Sequence, residues 1–424
     1  MSDIPDDAAD RQLHAFVLEL GRALALAGAA VSETQDRLRR IAAANGAEDA
    51  RIVVLPTALL IAFGRAGWTT IESVPQVAGS ALRLDQISAL YGLVKDAERG
   101  DVHPAEGLRR MEEIRAMEPR HGALVTLIAY IVMTVGLCLV LQPTPDDVAM
   151  AGGFGALVGL LILATRGHET LTVIVPILSA TVISALAFQA VKHGIADPGL
   201  RSLIAALVIF LPGGALTTAT VELASGEMVA GSSRLVYGTL QMLLLALGIA
   251  AGAGLAGLPS EEVLQDSHSN LLGDWAPWLG VIVFGVAASA YFSAPPRALR
   301  WLLTVLLAAW IGQLIGAELF GAGVSGFFGA LAMTPLALAI ARLRSGPPSQ
   351  VTFLPAFWLL VPGAIGLIGA TEIVGDPANA GLTDLVEPLT SVVAIALGVL
   401  VGVWIYNSVT AAPTELRRLV SSDR

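Results

Sequence analysis

The chain of 424 residues is 55% hydrophobic and 14% charged, with a formal net charge of −10 and a mean hydropathy of +0.72. Soluble domains carry about a quarter charged residues, so a chain this poor in charge places most of its length in lipid. The acidic balance excludes the basic footprint of a nucleic-acid binder. The single cysteine, Cys138, excludes an intramolecular disulfide and reads as a small buried hydrophobe.

Charge is concentrated at the start: residues 1–121 hold 14 of the 25 Lys+Arg and 18 of the 35 Asp+Glu. This predicts a small α+β domain over residues 1–120. The opening MSDIPDDAAD is acidic and has no apolar core, so this domain is expected in the cytoplasm. Leu13, Phe16, Val17, Leu20, Leu24 and Val31 recur at helical spacing and predict one helix over 11–44, stopped by Asn45-Gly46. RIVVLPTALLIAFG (51–64) predicts one or two strands, and WTTIESV (68–74) another. Helices follow from Leu84 to about Glu98 and from Pro104 to about Met117, separated at Gly100 and Asp101. His14, His103 and His121 have no metal-ligand spacing and read as surface or capping residues.

A membrane helix needs about 20 apolar residues. Ten candidate spans follow, near 122–141, 148–164, 170–190, 202–223, 235–256, 276–293, 298–317, 321–341, 352–374 and 386–408. Gly155 and Gly159 form a small-xxx-small pair suited to a close helix neighbour. With residues 1–120 inside, the inner loops carry Arg166, Arg234, Arg297, Arg300, Arg342 and Arg344, and the outer loops only Lys192 and Arg201. That bias sets the orientation, and both termini then lie in the cytoplasm.

Inside the spans lies a repeat. LPGGALTTATVEL begins at Leu211 and VPGAIGLIGATEI at Val361. Pro212 matches Pro362, Gly213 matches Gly363 and Glu222 matches Glu372, all at an offset of 150 residues. Each copy falls in the fourth span of a five-span half. Five is odd, so two such halves in series insert with opposite orientation, the inverted-repeat plan of many secondary transporters. The expected fold is therefore an α-helical polytopic membrane protein of ten transmembrane helices in two inverted five-helix repeats. The expected boundaries are 121–258 for the first repeat, 259–275 for an outside linker, 276–410 for the second repeat and 411–424 for a cytoplasmic tail.

Pro-Gly near the middle of a span can end one helix and begin another. The new N-terminus then turns free N–H groups toward the protein centre, where an anion such as a carboxylate is attracted. The competing reading is a plain proline kink with no ligand. The candidate substrate-binding residues are Pro212, Gly213, Gly214, Thr217, Thr218, Pro362 and Gly363. Thr217, Thr218 and Thr220 offer hydroxyls to a polar substrate or bond back to their own helix. Carboxylates within a span are costly, so Glu222 and Glu372 are candidates for proton coupling; their bland reading is a water-exposed interfacial carboxylate. Gln189, Gln241 and Gln313 read as interhelical glue. No Walker A segment is present, so an ion gradient, most simply of protons, is the expected energy source, and no cofactor or metal is expected.

The chain resembles the bacterial threonine/serine exporter family. The resemblance lies in LELGRALALAGAAVSETQDRLRRIAAANG (18–46), SALRLDQISALYGLVKDAERGDVHPAEGLRRMEEI (80–114), APPRALRW (294–301) and FLPAFWLLVPGAIGL (353–367). In some members the two halves are separate polypeptides, matching a division near residue 275. The resemblance implies a multi-pass protein of a bacterial inner membrane, not an enzyme, that exports threonine, serine or a similar small metabolite by proton antiport. The two-chain relatives imply a dicarboxylate exporter as the alternative, and a membrane ligand sensor is a further alternative from another class. Oligomeric state stays open, a homo-oligomer included.

Overall fold

The computed structural model describes residues 7–63, 68–73, 82–194, 201–257, 271–360 and 382–422. Two parts are visible: an N-terminal unit of helices and a small sheet, and a long helical bundle.

The N-terminal unit begins with α1 (Asp7–Leu26) and α2 (Val31–Ala44), where one helix was expected. The chain turns at Gly28, whose φ of +77° costs a glycine little. The amide of Ala29 reaches back to the carbonyl of Leu24, closing α1. The alanines around Gly28 all favour helix, which hid the stop. The hydrophobic stripe is as expected, with Leu13, Phe16, Val17, Leu20, Leu24 and Val31 all buried.

β1 (Arg51–Leu55), β2 (Ala58–Phe63) and β3 (Trp68–Ser73) form an antiparallel sheet in the order β1-β2-β3. Ile52 pairs with Ile61 and Val54 with Leu59, and these four side chains face the helices. α3 (Leu84–Glu98) and α4 (Pro104–Ala116) complete the unit at the expected boundaries. Its core does not close on itself. Ala230, Ala294, Ala298 and Val351 of the bundle are part of the same buried cluster.

The bundle comprises α5 (Ala123–Val140), α6 (Pro145–Ala164), α7 (Glu169–Lys192), α8 (Arg201–Leu207), α9 (Gly213–Ala224), α10 (Met228–Ala256), α11 (Ala276–Tyr291), α12 (Leu299–Phe320), α13 (Ala322–Arg342), α14 (Ser349–Leu359) and α15 (Leu382–Ser422). Among the described residues, seven helices are long and apolar enough to cross a membrane, and the bent pair Arg201–Phe210 and Gly213–Ala224 would make an eighth. α11 is equally apolar but only 16 residues long. The expected span 352–374 is described only to residue 360, and α15 continues as helix beyond the expected span end at 408.

Close packing rests on small residues. Gly155 and Gly159 of α6 lie against Thr134, Leu127 and Tyr130 of α5, so the predicted pair does seat a helix neighbour. α5 and α11 cross closely: a Cβ on Gly280 would sit 2.7 Å from the carbonyl oxygen of Gly136. α10 packs on α7, and α15 on α13.

The α10–α7 and α15–α13 contacts share a pattern. A Cβ on Gly248 would meet Ala180 Cβ at 2.8 Å and the carbonyl of Ile177; on Gly398 it would meet Ala330 Cβ at 2.8 Å and the carbonyl of Phe327. A Cβ on Gly252 would meet Ser184 Cβ at 2.6 Å, and on Gly402 Thr334 Cβ at 2.7 Å. Every residue in the second set lies 150 positions after its counterpart in the first.

The N-terminal unit marks one end of the bundle, here the near end. The C-terminus of α9, the turn between α11 and α12, and the N-terminus of α14 all lie there, because each touches the unit. α9 therefore runs toward the near end and α14 away from it.

Candidate functional site

The fourth apolar segment of the bundle is broken, not merely kinked. α8 passes into a 3-10 turn (Val208–Phe210), the chain extends at Leu211 with φ −71° and ψ 125°, and α9 starts at Gly213. The two pieces are bent by 62°. Proline at 212 cannot donate to the preceding turn, so the ladder stops where the sequence placed the stop.

The break leaves backbone groups that need partners. On the α8 side they come from other helices. Gln241 of α10 donates its side-chain amide to the carbonyl of Phe210 at 2.8 Å. The hydroxyl of Tyr130, on α5, donates to the carbonyl of Ala206 at 2.7 Å, and the whole tyrosine is buried. A related contact occurs at the end of α14, where Gln313 of α12 donates to the carbonyl of Leu360 at 3.2 Å. Leu360 is 150 residues after Phe210, and each lies two residues before the proline of its Pro-Gly pair. The expected role of Gln241 and Gln313 in joining helices is thus met by bonds to these two carbonyls.

On the α9 side no such partner is found among the described residues. The first return bond of α9 is from the amide of Leu216 to the carbonyl of Pro212. Among the described residues, the amides of Gly213 and Gly214 have no acceptor. One turn on, Thr217 is 1% exposed and its hydroxyl has no partner. Thr220 does bond back to its own helix, at the carbonyl of Leu216. Thr218 is half-buried. Pro212 and Gly213 are buried and Gly214 half-buried. A helix start with two amides and a buried hydroxyl that have no partner among the described residues suits an anionic or polar ligand group.

Glu222 lies at the other end of α9 and is not open to water. Its side chain is fully buried, and Oε1 accepts a hydrogen bond from the backbone amide of Val31 at 3.0 Å. Oε2 lies 3.1 Å from Nε of Arg234 on α10, an ion pair without hydrogen-bond alignment. Periodicity could flag a costly carboxylate here, but not a partner 191 residues away. Pro362, Gly363 and Glu372 lie outside the described residues.

Residues 15–256 carry a family signature. A family model described as “Putative threonine/serine exporter” matches residues 15–256, more than half of the chain. The chain belongs to this exporter family. It is a multi-pass membrane protein whose match includes the broken segment and Glu222.

Similar curated proteins are fungal. An uncharacterized protein of Schizosaccharomyces pombe is 22% identical over 93% of this chain and 54% of its own length. Pheromone-regulated membrane protein 10 of Eremothecium gossypii is 22% identical over 92% of this chain and 54% of its own. The protein of that name from Debaryomyces hansenii is 23% identical over 90% of this chain and 39% of its own. The chain thus spans about half or less of the length of these relatives. No solved structure matches the chain.

Proposed function

We propose that this protein is a secondary active exporter that carries threonine, serine or a similar small metabolite out of the cytoplasm, driven by the proton gradient. The carrying observation is the break at Leu211-Pro212, where Gly213, Gly214 and Thr217 present donors without partners among the described residues. The N-terminus of α9 would take the substrate carboxylate, and the hydroxyls of Thr217 and Thr218 its polar groups. Pro362 and Gly363 would supply the facing half of the site.

Three observations support two inverted five-helix halves and ten crossings. The glycine contacts of α10 on α7 recur 150 residues later in those of α15 on α13. The glutamine-bonded carbonyls of Phe210 and Leu360 are separated by the same offset. α9 runs toward the near end and α14, in the other half, runs away from it. Halves of opposite orientation can exchange conformations, which exposes a central site to each side in turn.

Glu222 and Glu372 are the proton-coupling candidates in this reading. Glu222 would exchange Arg234 for a proton as α9 moves. The near end would be cytoplasmic, in keeping with Arg166, Arg234, Arg297, Arg300, Arg342 and Arg344.

The test is efflux from proteoliposomes holding the full chain and loaded with labelled threonine, serine or succinate, with and without an imposed pH gradient. Threonine or serine should leave, faster when protons can move inward. Movement of succinate alone would make the site a dicarboxylate carrier. Release no faster than from protein-free vesicles for all three would refute export.

A further inference from the structure

The first turn of α2 and the residues just before it touch both halves of the bundle. Toward the first half, the amide of Val31 donates to Glu222 at 3.0 Å, and the carbonyl of Ala29 accepts from Nη2 of Arg234 at 3.4 Å. Toward the second half, Glu33 accepts from the side-chain amide of Gln350 on α14 at 3.2 Å. α9 follows the broken point of its half, and α14 leads to Pro362-Gly363 in the other.

The contact is built, not incidental. Ala30, the residue before α2, has no side chain able to cap the helix, and the Glu222 carboxylate, from another part of the chain, accepts from the helix's first amide. Glu222 is fully buried, and a buried carboxylate that loses its partners is left with an uncompensated charge. Apolar contact extends the join: Ala230, Ala294, Ala298 and Val351 of the bundle share one buried cluster with Leu38, Ile41 and Leu84 of the unit. The amide of Leu84 also donates to the carbonyl of Phe292, between α11 and α12.

We propose that the N-terminal unit is a clamp on the near end of the bundle: the first turn of α2, held by Glu222 and Gln350, ties the two halves together there and must release before that end opens. The proposal rests on the exporter reading, because only a carrier needs the halves to part. Glu222 and Arg234 act here as positioning residues. A unit tied to one half would ride with it freely; one tied to both opposes their separation.

The experiment uses the full chain with Cys138→Ala, so that added thiols are the only ones. Glu33→Cys and Gln350→Cys are combined and joined by a short reducible bifunctional thiol reagent. Cross-linking should lower substrate flux at least about tenfold, and reduction should restore it. Flux in fully cross-linked protein equal to that of the reduced protein would overturn the clamp. A second arm needs no transport. Glu33→Cys alone is labelled with a bulky water-soluble maleimide, with and without Glu222→Gln. Faster labelling in the Glu222→Gln protein is expected, and an unchanged rate in correctly inserted protein would also overturn the clamp. If no solute moves even without the cross-link, the exporter reading fails, and the labelling rate still decides whether Glu222 holds the unit in place.

Discussion

Gln241 donates from the middle of α10 to the carbonyl of Phe210, the last residue of the 3-10 turn before the break. A carbonyl freed by a break in a helix must find a donor, because lipid offers none. Gln241→Leu should therefore loosen the broken segment, costing about 1–3 kcal/mol for the unpaired carbonyl. A lowered unfolding temperature in detergent, with reduced flux, checks this. Gln313→Leu should act in the same way through Leu360, and unequal effects of opposite sign would separate the two sites.

Thr217 should respond differently. Its hydroxyl is buried without a partner, so Thr217→Val removes an unsatisfied group and should leave stability unchanged or raise it. If the hydroxyl reads substrate, the same variant should raise the KM for export about tenfold, the loss of roughly one hydrogen bond. Transport kinetics beside a thermal melt distinguish the two. An unchanged KM would remove Thr217 from the site.

The repeated glycines make a paired prediction. Gly252→Leu would drive a side chain into Ser184, and Gly402→Leu into Thr334. Overpacked contacts of this kind cost about 1–3 kcal/mol or more. Both variants should lower the yield of folded protein to a similar degree, read by size-exclusion chromatography in detergent. Full tolerance at one position would show that the two helix pairs do not carry equivalent loads.

In the N-terminal unit, Tyr91 is buried with its hydroxyl unbonded, and burial followed by the nearby Glu33 charge raises its pKa well above the usual value. The folded form therefore holds the phenol proton more tightly than the unfolded form does. The associated stability is intact below the unfolded value of about 10 and is lost as pH rises past it. Tyr91→Phe should remove this alkaline loss and leave stability at neutral pH equal or higher. Thermal melts of both proteins between pH 8 and about pH 11 test it; parallel curves would contradict it.

Much of this architecture is legible in the sequence because single residues impose it. Pro212 lacks the amide the ladder needs and is followed by two glycines, and its helix breaks there, whereas Pro176, Pro335 and Pro355 stay inside theirs. The stretch 51–64, read as one or two strands, holds two, and α3 and α4 appear where punctuation puts them. The turn at Gly28 is hidden by neighbours that are helix formers, and only the backbone angle reveals it. The offset that links Pro212 to Pro362 also links Gly248 to Gly398 and Gly252 to Gly402, but glycine is too common in membrane helices for that to stand out before the contacts are seen. The partners of Glu222 were out of reach for another reason: pairing across 191 residues is tertiary, and no local pattern encodes it.

The most direct measurement is the flux of labelled threonine and serine through proteoliposomes carrying the chain with Pro212→Ala and Gly213→Leu together. These changes should rejoin α8 and α9 into one helix and fill the space around the free amides. Export is predicted to fall to the level of empty vesicles while the protein still inserts and elutes as the unaltered chain does. Export at the unaltered rate from such protein would contradict a substrate site at the break.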